Sequence, residues 1–423
     1  MPAMPRLSAD DALARVLAPG QSIVLAQGPG MPRTLVDALP RHLDRLAGSR
    51  LMVGMVTDDF PVLPGVEICT FFPSGVLGSV SGMRSRSARY LPVSMFEFAH
   101  GLRTARYPVD VALIQATTER DGRVSLGLNV DFALPAADNA DHIVAEVIDD
   151  LPWTGPQTTT ELDHRVSLVA SAHRAVVADR APASDTSRRI GEEAARWIPD
   201  GATLELGMGR TLDALTAPLR GRRELRIHSG IIGDWLTDLR DAGALADRHR
   251  PVATAAVGSP EFYAWLSHSA GAGLKAADIT HGPAGLAALP RLHAVNSVLQ
   301  IDLSGRANSE RGLRGRLGGI GGLRDFARAA AGAQDGLSII ALPSSISGQS
   351  RIVADLPPDA RTLEPADVDV VVTEYGSADL RGVYGDDRAA ALVNVAAPGH
   401  RAALLSAYRR ITARQTTAKE ASG

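Results

Sequence analysis

Cysteine is almost missing from this chain: Cys69 is the only one in 423 residues. A single thiol excludes an intramolecular disulfide and any zinc cage built on several thiolates, and it fits a reducing, cytoplasmic setting. Aromatic residues are scarce as well, at 4%, so a broad aromatic pocket is not expected. Lysine is confined to Lys275 and Lys419, an arginine bias that reflects genomic base composition better than any binding role. Neither sign of charge dominates, with 44 Lys plus Arg against 47 Asp plus Glu and a formal net charge of -3. That balance argues against nucleic acid as a partner, because phosphate contacts need a basic field. No apolar run approaches the roughly 18 residues of a membrane helix. Met1 to Gly20 carries acidic residues and no long apolar core, so it does not read as a secretory signal.

What is present is α/β patterning. Short aliphatic runs recur at Ser22 to Ala26, Leu51 to Val56, Val109 to Ile114, His142 to Val147, Ala202 to Leu206, Ser338 to Leu342 and Val368 to Val372. Between them lie helix-like segments such as Arg33 to Leu46 and Asp185 to Trp197. Alternation of this kind predicts mostly parallel sheets. A faint repeat supports two units: Gly28-Pro29-Gly30 precedes Arg33-Thr34-Leu35, and Gly207-Met208-Gly209 precedes Arg210-Thr211-Leu212. Strand, glycine turn and helix is common enough in α/β proteins to arise twice by chance. A second pair, Val109 to Leu113 and Val368 to Val372, holds the same place in each half. The expected domains are residues 1–183 and 184–414, divided in the polar stretch Arg180 to Ser187, with a polar flexible tail over 415–423.

Glycine, at 41 residues, is densest in Leu317-Gly318-Gly319-Ile320-Gly321-Gly322-Leu323, ahead of a helical pattern from Phe326 to Ala331. Such a loop is either a tight turn or a place where backbone N–H groups approach a ligand, as an anion site or an oxyanion hole. It lacks the Gly-Lys-Ser/Thr of a P-loop, and Arg311 to Arg316 does not read as the strand a dinucleotide fingerprint needs, which disfavours ATP and NAD. No Gly-x-Ser-x-Gly elbow occurs at a strand turn, and Cys69 has no activating neighbour in sequence. The eleven histidines show no metal-ligand spacing, so no metal is expected. Glu205 interrupts the apolar run Ala202 to Leu206; a carboxylate there either faces solvent or is functional.

Several segments together resemble the acetyl-CoA hydrolase/transferase family, in particular its 4-hydroxybutyrate CoA-transferase branch. They are Asp200-Gly201-Ala202-Thr203-Leu204 with its Gly-Met-Gly turn, Val295 to Gly305, the Gly319 to Phe326 loop, Ser338 to Ser344, and Val371-Val372-Thr373-Glu374-Tyr375-Gly376 with Ala378 to Gly382. Tyr90-Leu91-Pro92, Val109 to Gln115 and Val124 to Gly127 extend the likeness over nearly the whole chain. The resemblance implies two similar CoA-transferase-like domains with the active site in the cleft between them. It also implies coenzyme A, as acyl-CoA, for the substrate, a carboxylate or other acceptor, and a homodimer. Gly319, Gly321 and Gly322 would lie beside the thioester with Asn296 as a polar contact, and Gly207 and Gly209 would form the turn next to them.

The family's covalent cycle needs a glutamate in a His-Ser/Thr-Glu segment; it attacks the thioester and is then captured by CoA. The matching segment here is Arg226-Ile227-His228-Ser229-Gly230-Ile231-Ile232-Gly233-Asp234, with Gly230 at the glutamate position. Glycine cannot form the anhydride, which puts ordinary CoA transfer in doubt. The expectation is that Glu205 takes over as the cleft carboxylate, as general base or displaced nucleophile, in space that Gly230 opens; Asp234 is the other candidate base and His228 a further catalytic candidate. A second departure is Ala366, where many relatives carry Arg. Three functions remain open: thioester hydrolysis or direct acyl transfer, true CoA transfer through another carboxylate, and binding of CoA esters without turnover. Trp235 and Trp265 either line the cleft or pack in the core, and Glu374 is either structural or part of the site.

Overall fold

A strand buried on both faces is mostly apolar, and Val111–Ala116 and Leu337–Ala341 are buried throughout, with Gln115 and Ser338 as their only polar members. In the computed structural model, which describes residues 4–56, 60–73, 88–178, 182–207, 209–268, 271–312 and 315–420, such segments build two principal sheets. The first contains β1 (Arg6–Leu7), β2 (Ser22–Leu25), β3 (Arg50–Val53), β4 (Glu67–Thr70), β5 (Ala88–Tyr90), β6 (Val111–Ala116), β7 (His142–Val147) and β8 (Val166–Ala170). Its order is β1-β8-β7-β6-β2-β3-β4-β5, and every pairing is parallel. The second contains β9 (Thr203–Leu206), β10 (Arg226–Ile227), β11 (Leu292–Asn296), β12 (Leu337–Ala341), β13 (Val370–Thr373) and β14 (Gly376–Asp379). Its order is β10-β9-β11-β12-β13-β14, with only the β13–β14 pair antiparallel.

The topology supports the first sequence repeat and corrects the second. Each sheet places the strand before its glycine turn, β2 or β9, beside the next strand in the chain, β3 or β10, with β6 or β11 on its other side. The counterpart of Val109 to Leu113 is therefore β11, not the Val368 to Val372 run, which forms β13. Sequence reading passed over β11 because His293 sits mid-strand; the ring is buried, its Nδ1 2.8 Å from the Arg291 carbonyl. It also passed over β4 and β8, whose polar residues mask the pattern. Arg311 to Arg316 is corrected too: Arg311–Gly312 and Gly315–Arg316 pair as a short antiparallel hairpin.

Helices follow their local signals. The expected helix from Arg33 to Leu46 is broken at Pro40 into Arg33–Ala38, a single 3-10 turn Leu39–His42, and Leu43–Leu46, since proline lacks the N–H a helix interior requires. Helix α1 (Met95–Arg103) opens on a reciprocal capping box between Ser94 and Glu97. Helix α2 (Asp185–Ala195) is capped by Ser184 and contacts β12, β13 and β14. We propose a domain boundary at 183/184, in the link between β8 and α2. The backbone is helical from Pro398 through Glu420, and residues 421–423 of the expected tail lie outside the described residues. No described helix is long and apolar enough to cross a membrane.

The outer face of the first sheet has its own core: Ile23, Leu25, Leu51, Val111, Leu113 and Val144 pack with Leu13 and Leu35. Its other face supplies Val24, Met52, Ala112, Ile114 and Ile143 to a cluster that also holds Leu204, Leu206, Val295, Ile339 and Val372 of the second sheet. One continuous core thus joins both halves. Much of the small aromatic complement is spent there, with Phe71, Phe98 and Phe132 packed at centroid distances of 4.7 to 5.4 Å.

Candidate active site

A cavity of about 350 Å³ lies between the halves, within the range of small-molecule sites. Gln27, Met55, Phe72, Met95, Asn129 and Asp131 line it from the first half; Glu205, Gly207, Gly230, His281, Asn296 and Gly319 to Gly322 line it from the second.

The second half's wall is built from strand ends. β9 and β11 pair with Glu205 opposite Ala294 and Leu206 opposite Val295, so Asn296 emerges beside the end of β9. Its Nδ2 donates to Glu205 Oε2 at 2.6 Å, while a Cβ on Gly207 would lie 2.6 Å from its Oδ1. Glu205 is 3% exposed, and burial, only partly offset by that one donor, pushes its carboxyl up to about 8. It is therefore protonated at neutral pH.

The backbone carrying Gly230 is pinned on both sides. Ser229 Oγ donates to the Leu206 carbonyl at 3.0 Å, and the Gly230 carbonyl accepts from the Thr254 and Ala255 amides at 3.1 Å each. A Cβ built on Gly230 would meet His281 Nε2 at 3.5 Å and Phe326 at 3.8 Å, ordinary contact distances. The position has room for a side chain and lacks one.

The glycine loop closes the cavity against the first half and leads into α3 (Leu323–Gly332). Gly319 is required by close approach, because a Cβ there would lie 1.9 Å from the Phe71 carbonyl oxygen. Gly322 is required by His281, whose Nε2 would stand 2.6 Å from an added Cβ. The Met95 amide donates to the Gly321 carbonyl at 2.9 Å, and the Phe96 amide to Asp325 at 3.1 Å. Burial pushes the Asp325 carboxyl up to about 7. Both contacts tie the C-terminal side of the loop to the start of α1.

Of the residues nominated from sequence, Glu205, Gly207, Gly230, Asn296, Gly319, Gly321 and Gly322 come together around this cavity. His228, Asp234 and Gly209 do not line it. Asp234 starts the helix Asp234–Asp241, and Ser259 occupies both its oxygens through its amide at 3.0 Å and its hydroxyl at 2.5 Å. His228 Nε2–H donates to the Thr280 carbonyl at 2.7 Å, and burial lowers its pKa. Gly209, at φ +128, initiates the short helix Arg210–Asp213. Glu374 is held by the Ser344 amide and hydroxyl, away from the cavity. Trp235 and Trp265 pack in or against the shared core. Ala366 lies in a separate depression with Asp369, Arg381 and Arg388.

Sequence reasoning missed Gln27, Asn129, Asp131 and His281. Asp131 is buried, its carboxylate accepting from Gln27 Nε2 and from the Phe132 and Ala133 amides; burial raises its pKa despite these donors. The available signal was the polar alternation Asn129-Val130-Asp131 between Leu128 and Phe132. His281 offered only a His-Gly-Pro sequence after a short helix. Among the described residues no cluster of three or more His, Cys, Asp or Glu could hold a metal ion.

Comparison with known proteins places this geometry. The profile of the acetyl-CoA hydrolase/transferase N-terminal domain matches residues 86–162, and that of the C-terminal domain matches residues 258–408. The 4-hydroxybutyrate coenzyme A transferase of Clostridium kluyveri is 30% identical over 404 residues, covering 92% of this chain and 94% of that protein. The crystal structure of RipA from Yersinia pestis superposes with a TM-score of 0.86 at 24% identity, covering 96% of this chain and 97% of RipA. A 4-hydroxybutyrate CoA-transferase from Porphyromonas gingivalis gives 0.78 at 28% identity with the same coverage of each chain.

Proposed function

Since the chain belongs to the acetyl-CoA hydrolase/transferase family, we propose that it binds an acyl-CoA with the thioester over Gly230 and cleaves it without a covalent glutamyl intermediate, by hydrolysis or direct acyl transfer. The observation that carries this reading is the pairing of an open position at Gly230 with a Glu205 that burial keeps protonated. A neutral carboxylic acid is a poor nucleophile and base but a good hydrogen-bond donor. Glu205 therefore acts by donating to the thioester oxygen as negative charge develops there, oriented by Asn296 and assisted by the glycine-loop backbone. This assigns Glu205 a different task from the base or nucleophile expected from sequence. Cys69 supplies no alternative nucleophile, because burial raises its thiol pKa. The reading keeps a cytoplasmic setting and a homodimer.

A second reading, CoA transfer to a carboxylic acid with Glu205 as nucleophile, is favoured by the position of that buried glutamate on the cavity wall. It requires Glu205 to ionise, which its burial opposes below about pH 8. Following free thiol from an acyl-CoA with and without acetate separates the two. Thiol release in buffer alone is the expected outcome, and exchange that occurs only with acetate, with no release in its absence, would reverse the assignment.

A further inference from the structure

We propose that His281 is the catalytic base of thioester cleavage, its Nε2 taking the proton from a water held in the space over Gly230. The inference rests on the hydrolytic reading above and adds the group that activates the nucleophile.

Four observations support it. Nε2 faces the vacant position directly, 3.5 Å from where a Gly230 Cβ would be, and it also borders Gly322, so the ring edge looks into the cavity between strand end and glycine loop. The ring plane is fixed by an edge contact with Phe326, at 4.7 Å between centroids and 62°. The contacts behind the ring accommodate the tautomer the step needs. His281 Nδ1 lies 2.8 Å from Thr280 Oγ1, and that hydroxyl can spend its own hydrogen on the Ala276 carbonyl at 3.3 Å. The hydroxyl oxygen then accepts Nδ1–H and Nε2 keeps its lone pair. Finally, the backbone carrying the ring is anchored by His228, whose Nε2–H holds the Thr280 carbonyl. His228 thus serves as a positioning residue.

The step balances. The water oxygen bonds to the thioester carbon as its proton passes to Nε2; the C–S bond then breaks, and the departing thiolate takes that proton back. Carboxylic acid and thiol are formed, and the imidazole ends neutral. Burial, with the charge of His228 nearby, lowers the His281 pKa to about 3. The ring is therefore neutral at neutral pH, with a nitrogen lone pair able to accept a proton.

The test uses full-length His281→Asn and His281→Gln, with free thiol from an acyl-CoA as the rate and calorimetric binding of a thioether analogue, in which sulfur joins a methylene, as the control. General-base loss predicts a rate fall of about 10²- to 10⁴-fold. Analogue affinity should stay within about threefold, and imidazole should partly restore His281→Gly, which a structural role alone would not allow. Either variant, folded and binding the analogue, that turns over within about threefold of the parent overturns the proposal and leaves the hydrolytic reading standing. A parent protein that binds the analogue and never releases thiol overturns both. Ring ¹⁵N shifts of the parent protein provide a test independent of variant folding: a proton on His281 Nδ1 is expected, and one on Nε2 overturns the assignment.

Discussion

Each half of the chain puts a buried carboxyl group on the cavity wall, and the two are treated differently. Asp131, from the first half, receives two backbone amides and the Gln27 side chain, so both oxygens are occupied by protein. Glu205, from the second, receives one donor, Asn296, on one oxygen. Burial raises both pKa values. A carboxylate surrounded by donors is committed to holding its own turn together, whereas a carboxyl with a free oxygen on a cavity wall can act on a ligand. Glu205 sits on strand β9, whereas Asp131 lies in the turn leading into the helix Ala133–Asn139, so the contrast follows from the local backbone that each carboxyl serves.

The sharpest way to disturb this asymmetry is to add a third carboxyl. If Gly230 stands where relatives carry their glutamate, Gly230→Glu has room to form and should convert thiol release into acceptor-dependent CoA exchange. Borohydride should then trap a glutamyl-CoA adduct at position 230, a change of several orders of magnitude in exchange rate; hydrolysis unchanged and no adduct would remove Gly230 from the explanation. Next comes the paired comparison. Glu205→Met, which has no donor, should lower turnover about 10²- to 10³-fold, as loss of one oxyanion donor does, whereas Glu205→Gln, whose amide still donates, should keep most of it. Asp131→Asn should instead cost about 1–3 kcal/mol of stability, because its new amide confronts the Gln27 donor. Denaturant melts and initial rates on Glu205→Met and Asp131→Asn check this, and equal effects on both quantities would erase the contrast.

The smallest effect is in pH dependence. Burial raises the Glu205 carboxyl from an ordinary 4.5 to about 8 in the folded chain, so its contribution to stability is complete below the lower value and is lost as pH rises through the upper one. Glu205→Gln cannot ionise and should therefore gain melting temperature relative to the parent as pH rises from about 5 to about 8. A gap that does not widen over that interval would contradict a buried protonated carboxyl.

The sheets were legible in sequence because parallel strands buried on both faces must be nearly all apolar; His142–Val147 has the same limits in both readings. β11 escaped because His293 cuts its apolar run to Ala294-Val295, whereas Gln115 and Ser338 lie at or beyond the ends of the runs Val109 to Ile114 and Ser338 to Leu342. At the site, Glu205 was visible as a charge inside an apolar run and Gly230 as a departure from a resemblance. His281 was not, since its importance lies in the distance from its ring to two glycines about 40 and 50 residues away in the chain, which only folding creates. Asp234 shows the converse: an acidic residue at a plausible spacing whose oxygens are already claimed by Ser259.

The core shared by the two sheets bears on how a substrate is chosen. Because the inner faces of both halves belong to one apolar cluster, swinging them apart to admit a ligand would expose that cluster to water, at a cost that rises with every square ångström uncovered. The cavity is accordingly a vessel of set capacity rather than a jaw. On the acyl-CoA reading proposed above, the acyl length accepted is set by walls already in place before the substrate arrives.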